Sequence, residues 1–99
     1  NSNGVLVLVL DEKYLDEYYS IVNLLRDNNI NSEIYLDPNK NMKKQLAYAD
    51  KKGFSLAIIC GQDEMDQNKA TIKKLKSEDE NKQFTVSREN LINEIKKLQ

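Results

Sequence analysis

The stretch Val5-Leu6-Val7-Leu8-Val9-Leu10 is apolar without interruption. A strand with one wet face would alternate with polar residues; an unbroken run of this length is the pattern of a central parallel strand covered on both faces. The next segment reads as a crossover. From Glu12 to about Asn28, Tyr14, Tyr18, Ile21, Val22 and Leu25 recur at helical spacing, and Asn28-Asn29 supplies a C-terminal stop. Glu33 to Leu36 is then a short strand, closed by Asp37-Pro38 because proline cannot donate to a ladder and restricts the residue before it. A second helix over Asn41 to Lys52 puts Met42, Leu46 and Ala49 on one face and ends at Gly53, which tolerates the left-handed conformation of a helix terminus. Phe54 to Cys60, with Leu56-Ala57-Ile58-Ile59 at its centre, repeats the buried-strand pattern and is broken by Gly61.

Beyond Gly61 the pattern changes to partial alternation. In Lys69 to Leu75, Ala70 and Ile72 face inward and Thr71 and Lys73 outward; Gln83 to Val86 alternates through Phe84 and Val86, and the polar Lys76 to Lys82 between them makes a hairpin with a flexible tip. Ser87 is placed to N-cap a last helix with Leu91, Ile95 and Leu98 on one face and Lys96 and Lys97 at its C-terminal end. The capping box is imperfect, because Glu89 stands one position early and Asn90 occupies the site where Glu or Gln is preferred. The order βαβαβββα predicts a three-layer α/β fold with three helices and a five-stranded mixed sheet: three parallel strands joined by right-handed crossovers, then an antiparallel extension. Ligands of open α/β sheets sit outside the C-terminal ends of the parallel strands. Here that edge is made by Asp11-Glu12, Asp37 to Asn41 and Gly61 to Asn68.

The chain has 99 residues, enough for one domain with a core that needs no metal or disulfide staple. Its 39% hydrophobic and 31% charged residues fit a soluble globular protein, and its longest apolar run is too short to cross a bilayer. No basic flank or small-residue cleavage site marks a signal peptide, and the lone Cys60 agrees with a reducing compartment, so cytoplasm is the default expectation. The opening Asn1-Ser2-Asn3, without an initiator methionine, reads as a cloning remnant or as the start of a piece cut from something longer. The absence of histidine removes imidazole triads and Cys/His zinc sites, which makes the chain a poor candidate for an enzyme.

A net charge of −1 offers no general attraction for nucleic acid, so any such binding must use local patches. Lys40, Lys43, Lys44, Lys51 and Lys52 stand between Asn39 and Gly53 against Asp50 alone, and Lys69, Lys73, Lys74 and Lys76 come later without an acid among them. Lys40, Lys44 and Lys51 fall opposite the apolar face of the second helix, and such a stripe is read either as a solvated face or as a contact surface. Other chemistries fit less well. Asp11 and Glu12 resemble the acidic pocket of phosphoacceptor receivers, but Cys60-Gly61 stands where the phosphorylated aspartate belongs, which leaves them as favourable acids at a helix start. No arginine follows Cys60 to support a thiolate, and Asp63 and Glu64 oppose one, so it reads as a packing residue. Phosphate-cradling glycine motifs are absent, and Tyr14, Tyr18 and Tyr19 lie on a helical stripe as core and rim residues rather than as stacking platforms.

Met42 to Gly53, containing Lys43-Lys44-Gln45-Leu46-Ala47-Tyr48-Ala49, resembles the K-K-Q-L-x-Y-A-x-x-x-G segment of the anticodon-binding domains of class II aminoacyl-tRNA synthetases, the histidyl-tRNA synthetase family above all. Ala57 to Glu64 is similar to the strand plus G-E-x-E segment shared by histidyl, threonyl, prolyl and glycyl synthetases, and Lys69 to Leu75 and Val86 to Leu91 resemble the segments after it. The resemblance implies a non-catalytic domain that docks on the anticodon stem-loop of tRNA(His). ATP and Mg are then used in a separate catalytic domain of a cytoplasmic, homodimeric parent. It matches Glu64 and Lys73 to base-contacting positions and Asn39 and Lys40 to a contributing loop, with Gln62 beside them; Lys40 and Lys43 become expected phosphate contacts, while Lys51 and Lys52 are left to solubility. The family often has Gly-Arg-Ser where this chain has Asn39-Lys40-Asn41, and Glu where it has Gln62, so fork-like arginine recognition is not expected there. A synthetase-like module that senses tRNA or binds a protein, a domain of a threonyl, prolyl or glycyl synthetase, and a structural role at a dimer interface are the alternatives.

Overall fold

Five strands and four helices form three layers in a computed structural model that describes residues 4–37, 39–76 and 82–98. Strand β1 (Val5–Val7) lies at the centre of the parallel part, flanked by β2 (Ser32–Ile34) and β3 (Leu56–Ile59); β4 (Lys69–Lys74) and β5 (Gln83–Ser87) extend the sheet antiparallel, in the order β2-β1-β3-β4-β5. Period-two geometry sorts the apolar run. Val5, Val7 and Val9 pack with Tyr18, Ile21, Val22 and Leu25 of α1 (Leu15–Asp27) and with Leu91 and Ile95 of α4 (Leu91–Lys97). Leu6 and Leu8 pack on the other side with Ala49 of α2 (Met42–Lys52), Phe54, Ala57 and Ile59.

The architecture agrees with the expected α/β fold, and differences in its elements have local causes. The expected first strand to Leu10 pairs as a ladder only over Val5–Val7, although Leu8 and Val9 are buried and Leu8 N–H still donates to Ile58 O at 3.0 Å. The expected strand Glu33 to Leu36 is shifted to Ser32–Ile34: Tyr35 N–H makes a last bond to Val7 O, then the chain leaves the sheet and Leu36 is 82% exposed. The strand expected over Lys69 to Leu75 ends at Lys74, and the one expected over Gln83 to Val86 runs on to Ser87. The proline expected to close β2 and most of the hairpin tip, residues 77–81, lie outside the described residues.

Helix α1 comes after a 3₁₀ turn, Glu12–Tyr14, whose N-cap Asp11 accepts from Lys13 N–H at 3.0 Å, and it stops at Asn29, in the left-handed region at φ 63°. In α2 the expected inward face includes Leu46 and Ala49 but not Met42, which is 43% exposed; the buried position is Gln45. Its ends are as expected, with Asn41 Oδ1 accepting from Lys44 N–H at 2.9 Å and Gly53 at φ 83°.

Two expectations about helices are corrected. A fourth helix, α3 (Gln62–Asp66), occupies what read as loop; it carries no apolar periodicity and is held by its first-turn bonds. Ser87 stands at the N-cap position of a 3₁₀ turn rather than of the last helix itself, and its side chain makes no capping bond. Arg88 N–H donates to Asn68 O and its guanidinium to Lys69 O, which keep Ser87 at the end of β5; a 3₁₀ turn, Arg88–Asn90, then leads into α4, and Leu98 lies exposed instead of extending the Leu91/Ile95 face. None of the described helices is long and apolar enough to cross a membrane.

Leu6 is fully buried between layers, so Leu6→Ala is expected to lower the unfolding free energy by about 2–5 kcal/mol. Leu36→Ala should change it by less than about 0.5 kcal/mol; urea denaturation of both variants measures the contrast.

Candidate nucleic-acid interface

The C-terminal ends of β1, β2 and β3 open on one edge of the sheet, because the three strands are parallel and adjacent. Each strand delivers a structured loop there. After β1, Asp11 caps the 3₁₀ turn, and Tyr18 of α1 donates its hydroxyl to Cys60 O at 2.7 Å, which fastens α1 to the end of β3. After β2, Asp37 folds its loop onto itself: Asn39 N–H donates to Asp37 Oδ1 at 3.1 Å and Lys40 N–H to Asp37 O at 3.2 Å. After β3, Glu64 reaches back from α3 so that Oε1 accepts from Gly61 N–H at 2.7 Å, the carboxylate half of a capping box.

Asn39, Lys40 and Lys43 are all exposed at the start of α2, a helix whose first turn contains no acid. The Lys40 ammonium lies 3.9 Å from Asp37 Oδ2, an exposed pair of the kind worth little in water. Lys51 and Lys52 stand in the last turn of α2, with Lys52 Nζ 5.9 Å from the centre of the Tyr48 ring. About 1.5 Å of rise per residue carries them to the opposite edge of the sheet, so the basic stripe is split between two ends of one helix.

Gln62 is exposed and Glu64 half-buried on α3, at the same edge as Lys40 and Lys43. Lys73 is placed differently. It is half-buried on β4, opposite Ala57 and Gln83, and the antiparallel run of β4 carries it about 13 Å along the strand from Lys69. Topology brings Lys69, not Lys73, beside Glu64. Asp63, Glu64, Gln67, Lys69 and Thr85 line a cavity of about 340 Å³, and on the same sheet face the Thr71 and Thr85 hydroxyls are 2.8 Å apart. These residues come from three segments, and only the β4–β5 register, which pairs Thr71 with Thr85, brings them together.

Cys60 is not an activated thiol. Cys60 is buried beneath the edge with its thiol 3.7 Å from Lys69 O, and burial pushes its pKa from 9.0 up to about 11, with Arg88 opposing and Glu64 reinforcing the shift. Among the described residues no group of three acids, cysteines or histidines is placed to hold a metal ion. Tyr18 is fully buried and Tyr19 exposed, which agrees with core and rim roles on the α1 stripe.

An anticodon binding domain family matches residues 4–98, and the chain belongs to that family. Its likeness runs to one branch in particular. The histidine–tRNA ligase of Pelagibacter ubique is 56% identical over 95 residues, 95% of this chain and 20% of that protein. The histidine–tRNA ligase of Cytophaga hutchinsonii is 37% identical over 95 residues, again 20% of its length. The chain thus spans about a fifth of the length of these curated relatives. Histidyl-tRNA synthetase from Nostoc sp. PCC 7120 superposes with a TM-score of 0.90 at 26% identity, over 99% of this chain and 23% of that one. The RNA binding domain of threonyl-tRNA synthetase from Cryptosporidium parvum, 14% identical over 98% of this chain and 24% of that one, shares the fold with a TM-score of 0.86.

Burial also raises the Tyr18 hydroxyl pKa above its ordinary value, so both Tyr18 and Cys60 stay protonated in the fold where the unfolded chain ionises. The Cys60 contribution to stability is complete below the unfolded thiol's 9.0 and is lost as pH rises through about 11, while that of Tyr18 starts to fall only near the unfolded phenol's 10.0. Denaturant midpoints should therefore fall across that window, less so in Cys60→Ala, and a thiol reagent near neutral pH should label Cys60 only as fast as the domain unfolds.

Proposed function

We propose that this chain recognises the anticodon stem-loop of tRNA(His) as the anticodon-binding part of a histidyl-tRNA synthetase. The observation that carries the reading is the gathering, on one sheet edge, of an exposed lysine group and a cleft lined by both donors and acceptors. Lysines neutralise phosphates and set the register of the RNA, whereas unstacked anticodon bases present Watson–Crick edges that carboxylates and amides can read. Asn39, Lys40 and Lys43 take the backbone role; Gln62 and Glu64 face the bases. One Glu64 oxygen is committed to Gly61 N–H, so the other, Oε2, is the acceptor available to a base amino group. Lys73 contributes from farther along β4, and Lys69 and Thr85 wall the cleft.

The parent protein would use ATP and Mg in a separate catalytic domain to attach histidine, as a homodimer in the cytoplasm. Identity to histidine–tRNA ligases across nearly the whole chain supports the histidyl assignment over the threonyl, prolyl and glycyl ones. With a net charge of −1, the domain alone binds weakly and leans on its local lysines.

Titration with the anticodon stem-loop and with a base-swapped version tests the reading; equal affinity for both would overturn it. Glu64→Gln retains an acceptor for Gly61 N–H but loses the carboxylate charge, and is expected to reduce discrimination between the loops by about 1–3 kcal/mol with the fold intact. Lys43→Ala should weaken all RNAs alike and lower the salt slope by about 1.

A further inference from the structure

We infer that Gln45, on the buried face of α2, is a positioning residue that sets Asn39 and Lys40 for RNA contact. Backbone groups in a parallel ladder point alternately to the two neighbours. Val7 O accepts from Tyr35 on the β2 side and Leu8 N–H donates to Ile58 on the β3 side, so the N–H and C=O of Val9 face the β2 side, where β2 has already left the sheet. Both groups are closed by one side chain. Val9 N–H donates to Gln45 Oε1 at 2.8 Å, and Gln45 Nε2 donates to Val9 O at 2.6 Å. The carboxamide stands in for the missing rung of strand.

The same Nε2 donates its second hydrogen to Lys40 O at 2.9 Å, and Gln45 is 0% exposed. The other hydrogen bonds described for Asn39 and Lys40 stay inside the loop, to Asp37. They shape the loop without fixing its bearing on the sheet. Gln45 supplies that bearing, because it ties the Lys40 carbonyl directly to the end of the central strand. The inference rests on the proposed use of Asn39 and Lys40 as RNA contacts. A loop cut loose from β1 would keep its lysine but would have to be ordered when RNA binds, at a cost in affinity.

Gln45→Met keeps length and burial and removes all three bonds. Affinity for the anticodon stem-loop would be measured against salt for the unaltered chain, Gln45→Met, Lys40→Ala and the double variant, at a temperature where circular dichroism shows each folded. The expected result is a loss of about three- to tenfold for Gln45→Met, a lowered salt slope, and a double variant no weaker than the worse single one. A Gln45→Met domain that melts earlier yet binds with unchanged affinity and slope, or a loss that adds fully to that of Lys40→Ala, would overturn it. If Gln45→Met does not fold, Gln45→Glu decides. Its carboxyl is driven to the neutral form by burial, and its single O–H can serve one of the two carbonyls. Faster hydrogen exchange at Lys40 N–H together with weaker binding is then expected, and unaltered exchange and affinity would refute the role. Failure of the unaltered chain to prefer the cognate loop would instead count against the proposed function.

Discussion

The constraint on which the structure depends is the complete enclosure of its first strand. Val5 to Val9 have almost no exposed surface, with α1 and α4 against one face, α2 against the other and a strand on each side. Such a segment can leave no backbone donor or acceptor idle, since an unpaired buried group costs roughly as much as a lost hydrogen bond. The ladder to β2 satisfies it as far as Tyr35, the ladder to β3 as far as Leu8, and the Gln45 carboxamide completes Val9. The loops at this edge inherit their positions from that requirement. Strand order decides which of them are neighbours.

Under the proposed function the charge distribution takes on meaning that the net value hides. The lysines at the start of α2 lie with Gln62 and Glu64 on one edge, while Lys51 and Lys52 face the other. Separate cationic and acceptor sites on one rim suit a polyanion whose bases are exposed. A uniformly basic surface would bind the phosphates but could not tell one base from another.

Much of the fold was legible because its strongest signals are long and periodic. The two apolar runs, the α1 stripe from Tyr14 to Leu25 and the Gly53 terminator all lie where local pattern and tertiary burial agree. The misses are places where a single tertiary contact outranks the pattern. A glutamine directly after two lysines looks like a surface residue, yet Gln45 stands one turn before Ala49 and is drawn inward by Val9. Helix α3 has only Met65 packed against the core, and the Gly61–Glu64 spacing that signals it lacks the usual hydroxyl residue at the cap. Ser87 has the chemistry of a cap, but Arg88 bonds to Asn68 and Lys69 delay the helix. At the edge, the family resemblance pointed to Glu64 and to Lys40 and Lys43. The company of Lys69 and Thr85 required the β4–β5 register, which the sequence does not spell out.

The bond between Glu64 and Gly61 N–H has a thermodynamic side. A free glutamate samples many rotamers, and immobilising one costs about 1.5–2 kcal/mol of side-chain entropy. Here that freedom is given up when the chain folds, because Oε1 is held at 2.7 Å and the whole carboxylate plane is held with it. Under the proposed function, Oε2 would therefore meet a base with its direction already set. On that reading, a base arriving at the wrong angle would have to break the bond to Gly61 N–H before the side chain could swing to meet it, and the short helix would then act as an orientational filter as well as a source of charge.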